Sequence, residues 1–104
     1  MNTYKIQFSK DAKKDLKDIY FYLKYDLQEP IIAKKLISKI KKQIFELEDN
    51  HSIYAIIKDE IIKKKAIRKI KVNNYIVFYK VNENKNLVEI VRIMYGRRNW
   101  AKFL

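Results

Sequence analysis

The residues best suited to chemistry are cations in the last third of the chain. Ile67-Arg68-Lys69-Ile70-Lys71-Val72 alternates as a strand does, which puts Lys69 and Lys71 on one face with Ile67, and Arg68 on the other with Ile70 and Val72. Further on, the β-branched run from Val88 to Tyr95 carries Arg92 and stops at Gly96, the only glycine, and Arg97, Arg98 and the only tryptophan, Trp100, follow. Lysines are point charges for an anion, and the planar guanidinium fork matches phosphate or carboxylate with two parallel hydrogen bonds. Trp100 adds a ring on which a base or a partner's side chain could stack. Gly96 lets the backbone turn with positive φ or come close to another segment.

The charge balance points the same way. The chain carries +12 in 104 residues, unevenly spread: +3 over residues 1–50 and +9 over residues 51–104, with all four arginines in the second half. A field of that shape favours a polyanionic partner, nucleic acid or an acidic protein. A bias toward lysine and isoleucine, with 20 and 17 residues, explains the total better than it explains the asymmetry. There is no cysteine, so disulfides and thiolate metal sites are excluded and a reducing cytoplasm is the default expectation. No cluster of His, Asp or Glu has ligand spacing, so no metal or small-molecule cofactor is expected. The N-terminus has no apolar signal core and no run approaches membrane-spanning length, so no membrane partner is expected.

The elements that must hold these cations read as follows. Tyr4–Phe8 alternates as a strand, Ser9 is a candidate N-cap, and Ala12, Leu16, Ile19, Tyr20, Leu23 and Leu27 form one helical stripe, predicting a helix from Lys10 to Tyr25. Pro30 opens a second helix to Leu47. Residues 51–65 are the least legible: Ile53, Tyr54, Ile56 and Ile57 fit a short strand, Asp59 to Lys65 a helical turn or an ordered loop. His51, the only histidine, lies in this linker with no second ligand or carboxylate nearby in sequence, and makes a poor catalytic or metal candidate. Strands 67–72, 75–81 and 87–95 follow, joined by Asn73-Asn74 and by the polar 82–86 turn. The expectation is one domain, residues 1–104, of α+β class: β-α-α-β-β-β, an antiparallel sheet with a helical hairpin packed on one face.

The segments Ile67 to Tyr79 and Ile93-Met94-Tyr95-Gly96-Arg97-Arg98-Asn99-Trp100, with the opening Tyr4–Ser9 and the helix ending Ile19-Tyr20-Phe21-Tyr22-Leu23, resemble the RelE/ParE family, the toxin halves of bacterial type II toxin–antitoxin pairs. The resemblance spans nearly the whole chain and implies a cognate antitoxin, an acidic or amphipathic segment of which would suit this charge. It also implies one of two targets: RelE-like members cut mRNA on the ribosome, and ParE-like members poison DNA gyrase. Cutting RNA through its own 2′-OH takes a base, an acid and cations for the phosphorane charge. The resemblance would assign Lys69, Lys71 and Arg98 to such metal-independent cleavage, and Arg68, Arg97, Arg98 and Trp100 to holding the target or nucleic acid. Two departures bear on the chemistry. RelE-like enzymes carry an arginine where this chain has Ile76, and a tyrosine or histidine near the C-terminus, where this chain ends Trp100-Ala101-Lys102-Phe103-Leu104.

Structural alternatives stand beside these assignments. Trp100 could pack on the helical hairpin, Arg97 and Arg98 could bind Asp11, Asp15 or Asp18, and Arg92 could partner an acid from the sheet. Arg68 could be a half-buried structural residue. A non-catalytic nucleic-acid-binding module and an interaction protein for an acidic partner are the competing functions; charge alone would be sufficient for the first.

Overall fold

Two apolar patterns, one of helical period and one alternating, build the two layers of the molecule. The computed structural model describes residues 3–54, 56–58 and 65–104. Strand β1 (Lys5–Phe8) leads through Ser9 into α1 (Lys10–Phe21), which continues as a π-turn over Tyr22–Asp26. Helix α2 (Pro30–Phe45) and the single turn α3 (Leu47–Asn50) follow, then β2 (Arg68–Val72), β3 (Tyr75–Asn82), β4 (Leu87–Tyr95) and a closing 3₁₀ turn, Trp100–Phe103.

Ser9 caps α1 as its position predicts, its Oγ accepting from Ala12 N at 2.9 Å. The predicted helix end at Tyr25 lies inside the π-turn, whose wide ring is closed by Leu27 N donating to Tyr22 O at 3.1 Å. Gln28, at φ 53°, then reverses the chain into Pro30, the first residue of α2. Ala33, Leu36, Ile40 and Ile44 are buried on one side of α2, with Leu47 below them on α3.

The strands lie in the order β1-β4-β3-β2. β2, β3 and β4 pair antiparallel as expected, whereas β1 pairs with β4 in parallel, Lys5 opposite Leu87 and Phe8 opposite Ile90. The sheet is thus mixed rather than wholly antiparallel, because the helical hairpin carries the chain back over one face after β1. One irregularity matters. Phe78 pairs with Arg92 while Tyr79 pairs with Ile90, so Val91 is an extra residue in β4. This bulge lets Ile90 and Ile93 both join the helix-side core with Val77, Tyr79 and Val88.

Among the described residues, no strand flanks β4 on its β1 side beyond Ile90. Helix α1 substitutes for one: Ser9 Oγ donates to Val91 O at 2.7 Å, and Ile93 N donates to Asp15 Oδ2 at 2.9 Å. On the opposite face of the sheet a smaller cluster forms, Ile57, Ile67, Phe78 and Met94, lidded by Trp100 and Leu104. The short strand expected near Ile56 is a single antiparallel bridge, Ile56 to Arg68, with Ile57 N donating to Ile67 O at 2.8 Å. The turn or loop expected over 59–65 falls, up to Lys64, outside the described residues. No helix among the described residues is long and apolar enough to cross a membrane.

Candidate functional site

Strand alternation sends Lys69 and Lys71 to the face away from the helices, where they stand opposite Phe78 and Ile76. Both lysines are exposed. Next to them the Gly96 turn is docked on the β2–β3 turn: Gly96 N donates to Asn74 O at 2.8 Å. Asn73 adopts the left-handed conformation its sequence position predicts, at φ 54°. Gly96 itself does not take a positive φ, so of its two predicted uses only the close approach applies. A Cβ there would meet Asn74 O at 3.3 Å and the Ile76 side chain at 3.6 Å.

From this anchored glycine the chain closes into the last turn. Arg98 N donates to Tyr95 O at 3.0 Å, Trp100 N donates to Arg98 O at 2.7 Å, and the 3₁₀ turn over Trp100–Phe103 follows. Side chains three residues apart eclipse in a 3₁₀ turn, so Trp100 and Phe103 belong to one side of it. Each ring carries a cation. Lys69 Nζ lies over the Trp100 ring at 5.4 Å, and Arg98 Cζ lies over the Phe103 ring at 4.0 Å. Trp100 in turn rests on Phe78, ring centroids 5.2 Å apart. Trp100 therefore packs on the open sheet face, not on the helical hairpin.

Arg92 is held differently. Its Nε and Nη2 donate to the two oxygens of Asp15 at 2.7 and 2.8 Å, a bidentate pair whose carboxylate also caps Ile93 N. The Asp15 hydrogen bond, against the cost of burial, holds the guanidinium pKa above its usual value. Asp15 is thus spent on Arg92, the acid-partnered arginine of the sheet, and not on Arg97 or Arg98. Neither of those two makes a salt bridge among the described residues.

Arg68 does not join the other cations. It shares the helix side with Ile70 and Val72, and its Nη1 donates to Tyr54 O and, at 3.5 Å, to Ser52 O. In that geometry its guanidinium ties down the segment after α3, on the face opposite Lys69 and Lys71. Arg97 is exposed beside the Gly96 turn. His51 lies with Tyr79 and Tyr4, at the opposite end of the sheet from Gly96. Its ring stacks on Tyr4 at 3.7 Å, its carbonyl accepts from Tyr79 OH, and its buried Nδ1 has no partner among the described residues. Burial pushes the Tyr79 hydroxyl up to about 12.

Sequence reasoning missed a groove of about 640 Å³ between the tip of the helical hairpin and the end of the sheet. Asp18, Tyr22, Tyr75, Tyr95 and Arg98 line it over an apolar floor that includes Ile19 and Leu23. Tyr75 and Tyr95 have ring centroids 5.8 Å apart, and burial, then the nearby Tyr22 and Tyr95, raise the Tyr75 pKa. The eight tyrosines of the sequence were a usable signal, but their convergence depends on the β3–β4 register. Arg98 thus stands at the rim where this groove meets the open face.

The model of the family "ParE toxin of type II toxin-antitoxin system, parDE" matches residues 6–100, and this chain belongs to that family. It is a type II toxin of the ParE/RelE kind. Among solved structures, one of the chromosomal ParDE system from P. aeruginosa is similar at a TM-score of 0.74 and 20% identity, covering 91% of this chain and 98% of the other. A chain of the RelBE2 toxin–antitoxin complex from Mycobacterium tuberculosis is similar at 0.67 and 14%, covering 89% and 98%. A mutant of the E. coli toxin RelE in the free state is similar at 0.68 and 14%, covering 97% and 92%. At these identities the structures establish the shared fold. No curated protein sequence matches the chain.

Proposed function

We propose that this toxin arrests growth by poisoning DNA gyrase in the cytoplasm, through a contact surface of Arg97, Arg98 and Trp100, and that a cognate antitoxin silences it. One observation carries the choice of target. RNA-cleaving members of the family this chain resembles carry an arginine where it has Ile76 and a tyrosine or histidine near a C-terminus that here reads Trp100-Ala101-Lys102-Phe103-Leu104, and this chain uses Ile76 and Phe103 in packing. Ile76 lies against the Gly96 turn and the outer apolar cluster, and Phe103 lies under Arg98. The same surface then offers charge and flat rings for adhesion, without the acid–base pair that 2′-OH attack calls for. No cofactor takes part in this reading.

Retention of Lys69, Lys71 and Arg98 favours a second reading, metal-independent cleavage of mRNA on the ribosome, in which these three residues stabilise the phosphorane. Inducing the protein in a bacterial host and following plasmid supercoiling, translation and mRNA integrity in the first minutes separates the two. Early loss of supercoiling with intact mRNA supports gyrase; early mRNA cuts with normal supercoiling support the ribosome. Normal growth at full expression would overturn both, and salt-dependent nucleic-acid binding in its place would identify a binding module.

For the antitoxin, the crease between α1 and α2 is the best-matched surface. Phe8, Leu16, Tyr20, Ile37 and Phe45 form an apolar floor in a groove of about 600 Å³, and Lys13, Lys17 and Lys41 rim it. An amphipathic helix with acidic flanks fits that combination. The toxin–antitoxin systems among the similar structures support an antitoxin partner.

A further inference from the structure

We infer that Phe103 is a positioning residue for Arg98, relaying to it the fixed geometry of the buried Asp15–Arg92 pair. The inference rests on the reading that Arg98 contacts the target. Asp15 is 8% exposed and grips Arg92 through two bonds of 2.7 and 2.8 Å, while its third bond, to Ile93 N, fixes the carboxylate to the backbone of β4. The Arg92 guanidinium is therefore held at two points, and its charge is balanced. Its Cζ lies over the Phe103 ring at 5.5 Å, and the same ring carries Arg98 Cζ at 4.0 Å. Two guanidinium groups would repel each other across so short a span; the Asp15 carboxylate removes that obstacle from one side.

The result is a series of contacts from a buried acid to an exposed cation. Asp15 sets Arg92, Arg92 and the 3₁₀ turn set the Phe103 ring, and the ring sets Arg98. Stacking uses the flat face of the guanidinium and leaves its N–H donors, which lie in the plane, free to meet phosphate or carboxylate. Arg98 has no side-chain hydrogen bond among the described residues that would orient it otherwise. A long arginine held by a ring loses less rotational freedom on binding than one free in solvent, which is the usual advantage of a preorganised contact. Lysine at this position would keep the charge and lose both the plane and the fork.

Three variants of the full-length toxin test this, read by the amount of toxin needed for half-maximal growth arrest and by NMR of the arginine side chains. In the parent, the Arg98 side-chain protons should be shifted upfield by the ring. Phe103→Leu, which keeps apolar bulk without a π face, should abolish that shift and require roughly two- to fivefold more toxin, the yield of one exposed cation–π contact. Phe103→Tyr should restore both signals. Combined with Arg98→Lys, Phe103→Leu should add no further loss. An unshifted Arg98 in the parent, parental potency of Phe103→Leu, or an equal loss from Phe103→Leu in the Arg98→Lys background would each overturn the inference. If instead the ring shift is present and the parent arrests growth but Arg98→Ala arrests it equally well, the assignment of Arg98 to the contact surface is what fails. If the parent itself does not arrest growth, the toxin reading fails.

Discussion

Arg98 and Arg92 are six residues apart on one short segment, yet they do opposite work because of what surrounds them. Arg92 meets a buried carboxylate and becomes part of the frame. Arg98 meets a ring and keeps its donors outward. Arg98→Ala should therefore abolish or strongly weaken growth arrest while leaving the thermal melting point within a degree or two, measured on toxin purified with and without the substitution. Asp15→Ala should do the reverse of a surface change. It strands a guanidinium and a backbone N–H in a partly dry site and should cost about 3 kcal/mol of stability, read by urea denaturation. On the gyrase reading, Lys69→Ala and Lys71→Ala leave growth arrest largely intact; a loss of arrest as deep as that of Arg98→Ala would favour the phosphorane role.

At the scale of elements, the Gly96 turn and the strand end it closes are joined more by proximity than by backbone strain. Because Gly96 has an ordinary φ, Gly96→Ala should cost only about 1 kcal/mol, the yield of a tight 3.3 Å approach to Asn74 O. Gly96→Val, with two further carbons near Ile76, should cost clearly more and shift Lys71 with the β2–β3 turn; denaturation midpoints of the two variants give the comparison. Much of this element scale was legible beforehand. The stripe Ala33–Leu36–Ile40–Ile44, the Ser9 cap, the Asn73 turn and the alternation of Lys69 with Ile70 are local properties, and local properties show in the sequence. The parallel pairing of β1 with β4 was not legible, since alternation reads the same in either strand direction. Nor was the Val91 bulge, which lies where Ser9 and Asp15 take over beside β4. The face chosen by Trp100, and the choice of Arg92 over Arg97 and Arg98 by Asp15, are tertiary contacts between distant segments, and the 3₁₀ turn is too short to leave a periodic pattern.

For the whole molecule, stability at alkaline pH should respond to one tyrosine. Tyr79 is fully buried in the main core and its hydroxyl, donating to His51 O, is raised from 10.0 to about 12. The folded state thus keeps a proton that the unfolded chain gives up first. Between about pH 10 and pH 12 the unfolded state binds fewer protons, so stability falls as pH rises; below pH 10 the full contribution is present. Removing the hydroxyl in Tyr79→Phe should flatten that decline relative to the parent by about 2–3 kcal/mol across the window, measured by denaturant unfolding at several pH values. The molecule's overall +12 predicts a second property. Antitoxin association should slow markedly as salt is raised from low to physiological levels, because long-range attraction to an acidic partner is screened beyond about 8–10 Å.

Ser9 and Asp15, where α1 stands in for a missing strand, bear on how the sheet breathes. An amide at an open sheet edge normally exchanges its hydrogen with water quickly. Ile93 N points toward that edge, but the Asp15 carboxylate covers it. Its deuterium uptake should therefore be as slow as that of the central β3 amides. In Asp15→Asn, whose amide oxygen is a weaker acceptor, the Ile93 amide should lose that protection before its neighbours do, marking the first place where the sheet opens.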